Sequence, residues 1–290
     1  MREASASEPL MTCRKRRREI LVSAFCSLII FVGALLPLNA GGAEMTLAKD
    51  EVGQLWLQII GRIDEGDDLK FKDLLVNAIN RGEQITDVAT FSQGGRALPA
   101  IKIGRYIRTM HLRTVAPYLV PVVRRHICYV SATTGPTTML EFDPLSNRGD
   151  ARCSCAAECF LIWAAGSRRS AGAVQLHRLI LQGEEDTKSS SKTTKHTNIE
   201  KVINAYLREM GVPDATIMRM HSISADELAY LTKEELNAFT SISSVPWLKE
   251  LLSARCDHYV ASSPAALECE NAVIRELYWN GARELLSQNE

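Results

Sequence analysis

The sequence predicts a single α/β domain built around a largely parallel sheet. Short apolar runs of strand length alternate with segments whose apolar residues recur at helical spacing, and this alternation extends from residue 55 to residue 115. In addition, 46% of the 290 residues are hydrophobic, which is enough to fill one large core. Parallel strands must be joined by a crossover connection, usually a helix, so the alternation favours a parallel sheet.

The first elements follow this pattern in order. The run at residues 55–60 is continuously apolar apart from Gln58 and ends at Gly61, as a buried strand does. The glycine pair Gly94-Gly95 closes the next strand before a second helix begins. The predicted elements are a strand at 55–60, a helix at 68–80, a strand at 85–91, a helix at 97–109 and a strand at 112–115.

The middle of the chain is less regular. Residues 116–150 contain several prolines and glycines, which predicts an irregular insertion around a hairpin at 127–130 and 138–142. Regular structure then resumes with a buried helix at 159–165 and a short strand at 173–177. Residues 184–198 have no apolar side chain and are therefore predicted to form a mobile surface loop.

The C-terminal part is predicted to be helical. A helix at 199–210 ends at Gly211, a residue type that tolerates the left-handed conformation beyond a helix. Short helices at 214–220 and 233–239 follow, and a tail helix occupies 265–286. The sequence thus divides into an N-terminal segment at 1–43, a domain at 50–240 and a helical C-terminal extension at 241–290.

The N-terminal segment is typical of an export signal. Five basic residues at 14–18 precede an uncharged, mainly apolar run at 20–38, which orients the segment with its basic end in the cytoplasm. Gly41 and Ala43 are small residues suited to a signal peptidase, which favours cleavage after Ala43. The alternative is an uncleaved anchor, because the run approaches the roughly 20 residues that span a bilayer. We therefore expect a periplasmic protein, or one anchored in the inner membrane and facing the periplasm, with membrane contact through this segment alone.

The cysteines fit an oxidising compartment. Of the eight, Cys13 and Cys26 fall in the N-terminal segment, leaving an even number that a periplasmic protein can pair. Candidates for disulfides are Cys153, Cys155, Cys159, Cys256 and Cys269. The last two bracket a short loop and form the favoured pair. Together with His177, the first three would suit tetrahedral zinc in number, but their spacing is unlike the usual C-x2-C pair. We accordingly expect disulfides, with no metal and no cofactor.

The charge pattern gives no indication of nucleic-acid binding. The 34 basic residues balance the 34 acidic ones, whereas nucleic-acid binding requires a concentrated positive field. The pairs Arg124-Arg125 and Arg168-Arg169 have no interleaved aromatic residues that would stack on bases. These arginines are therefore predicted to be solvated surface residues.

The turn at Ser92-Gln93-Gly94-Gly95 is a candidate anion-binding element. It lies between a strand and a helix, where glycine N–H groups are accessible and the helix dipole is positive. Such a turn can hold an oxyanion, although a glycine pair is also explained by a tight strand-to-helix connection.

Taken as an ordered set, several segments of the chain resemble the periplasmic branch of the Clp-protease-like, crotonase-superfold proteins. The resemblance covers roughly residues 52–240 and implies a repeated ββα superhelix with a largely parallel sheet, and often a homo-oligomer. The segments are GRIDEGDDLKFKDLL (61–75), TFSQGGRALPAIKIGRYIR (90–108), CSCAAECFLIWAAGSRR (153–169), LHR (176–178), YLREMGVP (206–213) and YLTKEEL (230–236).

The resemblance implies serine-type peptide hydrolysis, but the nucleophile is missing. The family's serine is expected within a Cys-Ala-Ser-Ala-Cys-like element, and this chain has Cys155-Ala156-Ala157-Glu158-Cys159. Ala157 cannot attack a carbonyl. The N–H groups of Gly94, Gly95 and Glu158 are the groups expected to hold the developing oxyanion.

Other catalytic roles are matched only in part. His177 corresponds to the general base by its place after the buried helix, and Asp226 is the candidate for the acid that orients it. Ser154 lies three residues before Ala157, too far to reach the roughly 2.6–3.2 Å of a Ser–His hydrogen bond. Gln175 and Leu179 replace a glycine and a proline that are common around the base.

We therefore expect a degenerate domain that acts as a binding or assembly module for a protein or peptide ligand. One alternative is an active hydrolase that uses Ser154 or a free cysteine of the cluster with His177. Another is a zinc-binding envelope protein.

Overall fold

The computed structural model describes residues 42–49, 53–122, 125–130, 138–142, 153–170, 172–178, 191–224, 226–240, 245–258 and 263–288. The predicted signal or anchor segment up to residue 41 lies outside these residues, as do Cys13 and Cys26. Among the residues that the structure describes, none of the helices is both long enough and apolar enough to span a membrane.

The described strands form three sheets, and the described helices pack around them. The strands are β1 (Glu44–Lys49), β2 (Leu55–Ile60), β3 (Ile85–Phe91), β4 (Arg113–Val115), β5 (Tyr118–Val122), β6 (Arg125–Val130), β7 (Thr138–Phe142), β8 (Cys155–Ala156), β9 (Arg168–Ser170), β10 (Val174–Leu176) and β11 (Ala229–Tyr230). The helices are α1 (Asp67–Asn80), α2 (Ala97–Thr109), α3 (Glu158–Ala164), α4 (Ser191–Glu209), α5 (Asp214–Ser222), α6 (Lys233–Thr240), α7 (Pro246–Cys256) and α8 (Pro264–Ser287).

The main sheet confirms the predicted α/β class with a largely parallel sheet. Its order is β1-β2-β3-β4-β9, and every neighbouring pair except β1 with β2 is parallel. Helices α1 and α2 provide the crossover connections between β2, β3 and β4. A smaller sheet has the order β11-β10-β8, in which β8 and β10 are parallel.

The structure differs from the sequence prediction in two connecting segments. Within the segment at 116–150, the predicted hairpin is confirmed by the antiparallel pair β6-β7, but β5 adds a third antiparallel strand that was not predicted. Helix α4 begins at Ser191, so residues 191–198 are helical rather than loop. A helix started by an amphipathic segment can extend through polar residues, because its backbone hydrogen bonds need no buried side chain.

Helix α3 lies at the centre of the core, as the apolar run at 159–165 predicted. Each of its residues is buried. The hydroxyl of Tyr206 on α4 donates a hydrogen bond to the Leu161 carbonyl at 2.8 Å, and Arg108 Nε on α2 donates to the Ala165 carbonyl at 2.8 Å. Two neighbouring helices therefore fix α3 through its own backbone as well as through apolar contact.

The prediction of solvated arginines is wrong for Arg168, which is half-buried, and for Arg169, which is buried; the side chains at 124–125 lie outside the described residues. Arg169 is only 4% exposed; its guanidinium donates to the Met210 carbonyl at 2.7 Å and lies 5.6 Å from the centre of the Phe239 ring. Burial lowers the pKa of Arg169 to about 9. The protein tolerates a buried guanidinium here because the Met210 carbonyl and the face of the Phe239 ring replace part of its hydration.

The C-terminal extension is held by the disulfide that the spacing favoured. Cys256 at the end of α7 and Cys269 in α8 form a bond of 2.06 Å, which confirms that pairing. Around it, Val245, Leu248, Leu252 and Val273 form a separate small apolar cluster. A cross-link of this kind stabilises a part of the chain whose own core is small.

Gly104 permits the close approach of α2 to α4, which gives a test of this packing. A Cβ at this position would lie 1.8 Å from the Tyr206 hydroxyl oxygen. Overpacking costs about 1–3 kcal/mol, more than the roughly 1 kcal/mol that alanine adds to helix propensity.

We expect Gly104→Ala to lower the free energy of unfolding in denaturant titrations. The exposed neighbour Arg105→Ala should change it by no more than about 0.5 kcal/mol. Equal stability of the two variants would contradict this packing.

Candidate functional site

Ser92, the residue after β3, joins the main sheet to the smaller one. Its N–H donates to the Ser154 carbonyl at 3.1 Å, and its carbonyl accepts the Ala156 N–H at 2.9 Å. These two bonds make a parallel bridge between Ser92 and Cys155. The chain that follows Ser92 is consequently held beside the chain that follows β8.

The glycine turn after Ser92 has a backbone that other residues rarely adopt. Gly94 and Gly95 have φ values of 106° and 146°, and a Cβ on Gly95 would lie 2.0 Å from the Ile63 carbonyl oxygen. The turn is fixed from both sides: the Ile63 N–H donates to the Gly94 carbonyl at 2.9 Å, and the Gly94 N–H donates to Ser92 Oγ at 3.1 Å. With these bonds made, the Gly95 N–H points toward the start of α3.

Ala157 occupies a strained turn between β8 and α3. Its φ of 51° and ψ of −122° lie in a region that is unfavourable for a residue with a side chain. A sharp strand-to-helix turn of this kind is the geometry in which α/β hydrolases present a nucleophile. Here it presents only a methyl group.

The cysteines around this turn are oxidised. Cys155 and Cys159 form a disulfide that brackets Ala157 and Glu158, and Cys153 is disulfide-bonded as well. A sulfur in a disulfide is neither a thiolate nucleophile nor a metal ligand. The alternatives of a cysteine-type hydrolase and of a zinc site at this cluster are therefore wrong for this form of the protein. Elsewhere in the described part of the chain, no cluster of three or more histidine, cysteine or acidic residues is arranged for a metal ion.

The Glu158 carboxylate lies against the glycine turn. Its Oε2 accepts the Gly95 N–H at 2.7 Å, and the carboxylate also accepts the N–H of Glu158 itself. A Cβ on Gly94 would lie 2.3 Å from the same oxygen. Of the three N–H groups expected to hold a reaction oxyanion, those of Gly95 and Glu158 are already bound by this carboxylate, and that of Gly94 donates to Ser92 Oγ.

The carboxylate of Glu158 is also unusually protected from water. The residue is 7% exposed, and burial raises the pKa of the carboxyl group. The two backbone N–H bonds, and the charges of His177 and Arg62, partly oppose this shift. Sequence reasoning assigned Glu158 a role through its backbone alone and missed the side chain. The available signal was an acidic residue at a position where the resemblance expects alanine.

His177 is brought to this site by the smaller sheet. It follows β10, and β10 pairs in parallel with β8 through Val174 with Cys155 and Gln175 with Ala156. The side chain is half-buried, and its charge acts on the Glu158 carboxylate. The structure therefore brings the expected base and the turn at Ala157 together.

Two other sequence candidates occupy different surroundings. Asp226 is exposed and lies three residues before β11, the strand that pairs with β10. Ser154 is buried immediately before β8, and its carbonyl accepts the Ser92 N–H. Ser154 contributes to the bridge between the sheets through its backbone, and its buried position does not present the hydroxyl to a substrate.

No protein-family model matches the chain, and no curated protein matches it. Among solved structures it is similar to the 1510-N membrane-bound stomatin-specific protease in a form with one serine mutated to alanine. The identity is 16%, the TM-score is 0.39, and the match covers 67% of this chain and 81% of that one.

The buried Glu158 carboxyl predicts a particular pH dependence of stability. The pKa of this carboxyl group in the folded state is raised above the ordinary 4.5. Its contribution to the free energy of unfolding is therefore fully present below pH 4.5 and is lost as the pH rises through the folded-state pKa. Glu158→Gln removes this titration. We expect the variant to gain stability relative to the wild type as pH rises from 4 to 8 in urea titrations. Glu227→Gln, at an exposed position, is the control. A difference that is constant with pH, or that grows in favour of the wild type, would contradict a buried carboxylate.

Proposed function

We propose that this chain is an exported, Clp-protease-like protein that has lost hydrolysis and uses the same site to bind a protein or peptide ligand. The observation that carries the proposal is the pairing of Ala157 in a strained turn with the Glu158 carboxylate in the glycine turn. The disulfides of the described chain support export, because such bonds persist in oxidising compartments.

Two separate features oppose hydrolysis at this site. The first is the absence of a nucleophile, since the methyl of Ala157 has no lone pair. The second is electrostatic: an oxyanion hole accelerates acyl transfer by offering free N–H groups to a developing negative charge. At Gly95 and Glu158 those groups are taken by a carboxylate, whose own charge would repel an oxyanion. Restoring the serine alone would therefore leave the second obstacle in place.

The surroundings of the site favour a peptide ligand. Strand β11 is at one end of the smaller sheet and pairs with β10, directly before His177, and its Tyr230 carbonyl accepts a hydrogen bond from the Arg219 guanidinium at 2.6 Å. On or beside this strand, Leu228 and Tyr230 are exposed apolar side chains. Because Arg219 already binds that carbonyl, an extended peptide beside this strand would be recognised chiefly through contacts with these apolar side chains. The proposed ligand is thus an extended protein segment carrying apolar side chains.

A serine probe tests the loss of hydrolysis. We expect no labelling of the wild type by a fluorophosphonate. The double variant Ala157→Ser/Glu158→Ala restores both the nucleophile and a free glycine turn, and we expect it to be labelled in a manner that depends on His177. The single variant Ala157→Ser should react at least about 100-fold more slowly than the double variant, because the loss of an oxyanion donor has an effect of this size.

The opposite pattern would overturn this assignment. Wild-type labelling that disappears in Ser154→Ala would identify an active serine hydrolase. A wild-type label that survives that substitution would also contradict the proposal, since it would identify a nucleophile outside the site described.

Peptide binding is tested with peptides selected from a displayed random library against the purified exported protein. We expect the selected peptides to be rich in apolar residues and to lose at least about tenfold in affinity with Tyr230→Ser, the loss of an aromatic contact worth roughly 1.4 kcal/mol. Calorimetry measures this change. Leu267→Ser, an exposed apolar position on α8, is the matched control. Equal effects of the two substitutions, or no selectable peptide, would count against a peptide site at β11.

A further inference from the structure

Asp67, the first residue of α1, is a buried carboxylate that holds the chain just before β1. It is 0% exposed, and its Oδ2 accepts the Ala43 N–H at 2.8 Å and the Asp64 N–H at 2.7 Å. Its other oxygen accepts from Lys70 Nζ at 2.8 Å, although the Lys70 side chain is 55% exposed. Two local donors and one donor 24 residues away in the chain thus converge on one buried carboxylate.

Ala43 is buried to the same degree as the residues of the main core. It is 3% exposed and belongs to the main apolar cluster. Gly42 passes close to the same carboxylate, because a Cβ on Gly42 would lie 2.5 Å from Asp67 Oδ1. The backbone nitrogen of Ala43 is therefore directed at a negative charge, in a place where a neighbouring side chain would not fit.

We propose that the Gly42–Ala43 bond is the processing site of the exported protein, and that the new α-ammonium group of Ala43 forms a buried ion pair with Asp67. The proposal rests on the export included in the proposed function. Hydrolysis adds one water across the amide bond: Gly42 leaves with a carboxylate, and Ala43 keeps the nitrogen as an amine that takes up a proton. Ala40 and Gly42 then stand at the two positions where a signal peptidase requires small residues.

The structure favours this bond over the adjacent one, after Ala43, which the sequence favoured. Cleavage after Ala43 would remove a buried side chain from the core and one of the donors to the Asp67 carboxylate. The mature chain would then begin at Glu44, which is exposed and lies beyond the contact with Asp67. Cleavage one residue earlier keeps both contacts and turns a neutral donor into a cation. Hydrogen bonds from a cation to a carboxylate are roughly twice as strong as neutral ones.

The first test is the N-terminus of the exported product. The full chain is expressed in a Gram-negative host, and the periplasmic product is analysed by N-terminal sequencing and intact mass. We expect Ala43 as the first residue. A periplasmic product that begins at Glu44 or elsewhere overturns the processing site and leaves export intact. A product that stays uncleaved in the membrane or cytoplasm overturns the processing site together with cleavage on export, and the fractionation distinguishes the two failures.

The second test asks whether the α-amine is buried in an ion pair. The periplasmic product is treated with an amine-acylating reagent at neutral pH, and the N-terminal peptide is followed by mass spectrometry. An opposite charge at this distance favours the protonated, unreactive amine by about one pH unit or more, so we expect acylation at least tenfold slower than in denatured protein. Acylation at equal rates in the folded and denatured product would overturn the ion pair.

Variants at neighbouring carboxylates assign the effect to Asp67. We expect Asp67→Asn to raise the acylation rate of the α-amine at least tenfold. Asp68→Asn is the matched control, because Asp68 is also buried but pairs with Lys102 at 2.9 Å. An Asp68 effect equal to that of Asp67 would contradict the assignment. If Asp67→Asn does not accumulate, the pH dependence of acylation in the folded wild type decides instead: an amine paired with a carboxylate becomes reactive only at a higher pH than in the denatured protein, whereas an amine that is merely buried does not.

Discussion

The candidate site depends on two backbone hydrogen bonds that Ser92 makes with the chain on either side of Cys155. They join the carboxyl end of β3 in the main sheet to β8 in the smaller sheet. The Ser92 hydroxyl then accepts the Gly94 N–H, so one residue fixes both the junction and the glycine turn. Without this junction, nothing would hold the Gly95 N–H, which follows the main sheet, beside the first turn of α3, which follows the smaller sheet. Their spacing is therefore a property of the fold rather than of any flexible side chain.

This junction also explains how a strained alanine is maintained. A residue in an unfavourable region of φ and ψ costs about 1–3 kcal/mol and persists only when its surroundings determine it. Ala157 is preceded by the bridge to Ser92, followed by the fully buried helix α3 and enclosed by the Cys155–Cys159 disulfide. The Glu158 carboxylate accepts hydrogen bonds from the Gly95 and Glu158 N–H groups, which this geometry would otherwise leave without a partner. The strained turn is thus stabilised by a side chain of the helix that it begins.

The sequence predicted best those features that depend on local patterns. Nearly continuous apolar runs identified β2 and α3, because these elements are buried on most sides, and the glycine pair that closes the following turn helped to identify β3. Strand β1 was missed, since it is an edge strand whose side chains are at most half-buried and whose pattern is correspondingly weak. The burial of Arg169 could not be read from adjacent arginines, because its partners, Met210 and Phe239, are distant in sequence. The role of the Glu158 carboxylate likewise required knowledge of where Gly95 lies in space.

The two buried carboxylates, at Asp67 and Glu158, are connected through a single short loop. Asp67 binds the Asp64 N–H, and the preceding residue, Ile63, accepts the Arg96 N–H and donates to the Gly94 carbonyl. The same Asp67 oxygen binds Ala43 at the start of the described domain. The contact that fixes the N-terminus and the contact that fixes the glycine turn therefore share residues 63 and 64. The Asp67 carboxylate that binds Ala43 thus also holds the loop that supports the glycine turn, so a change in charge at either contact acts on the same short segment.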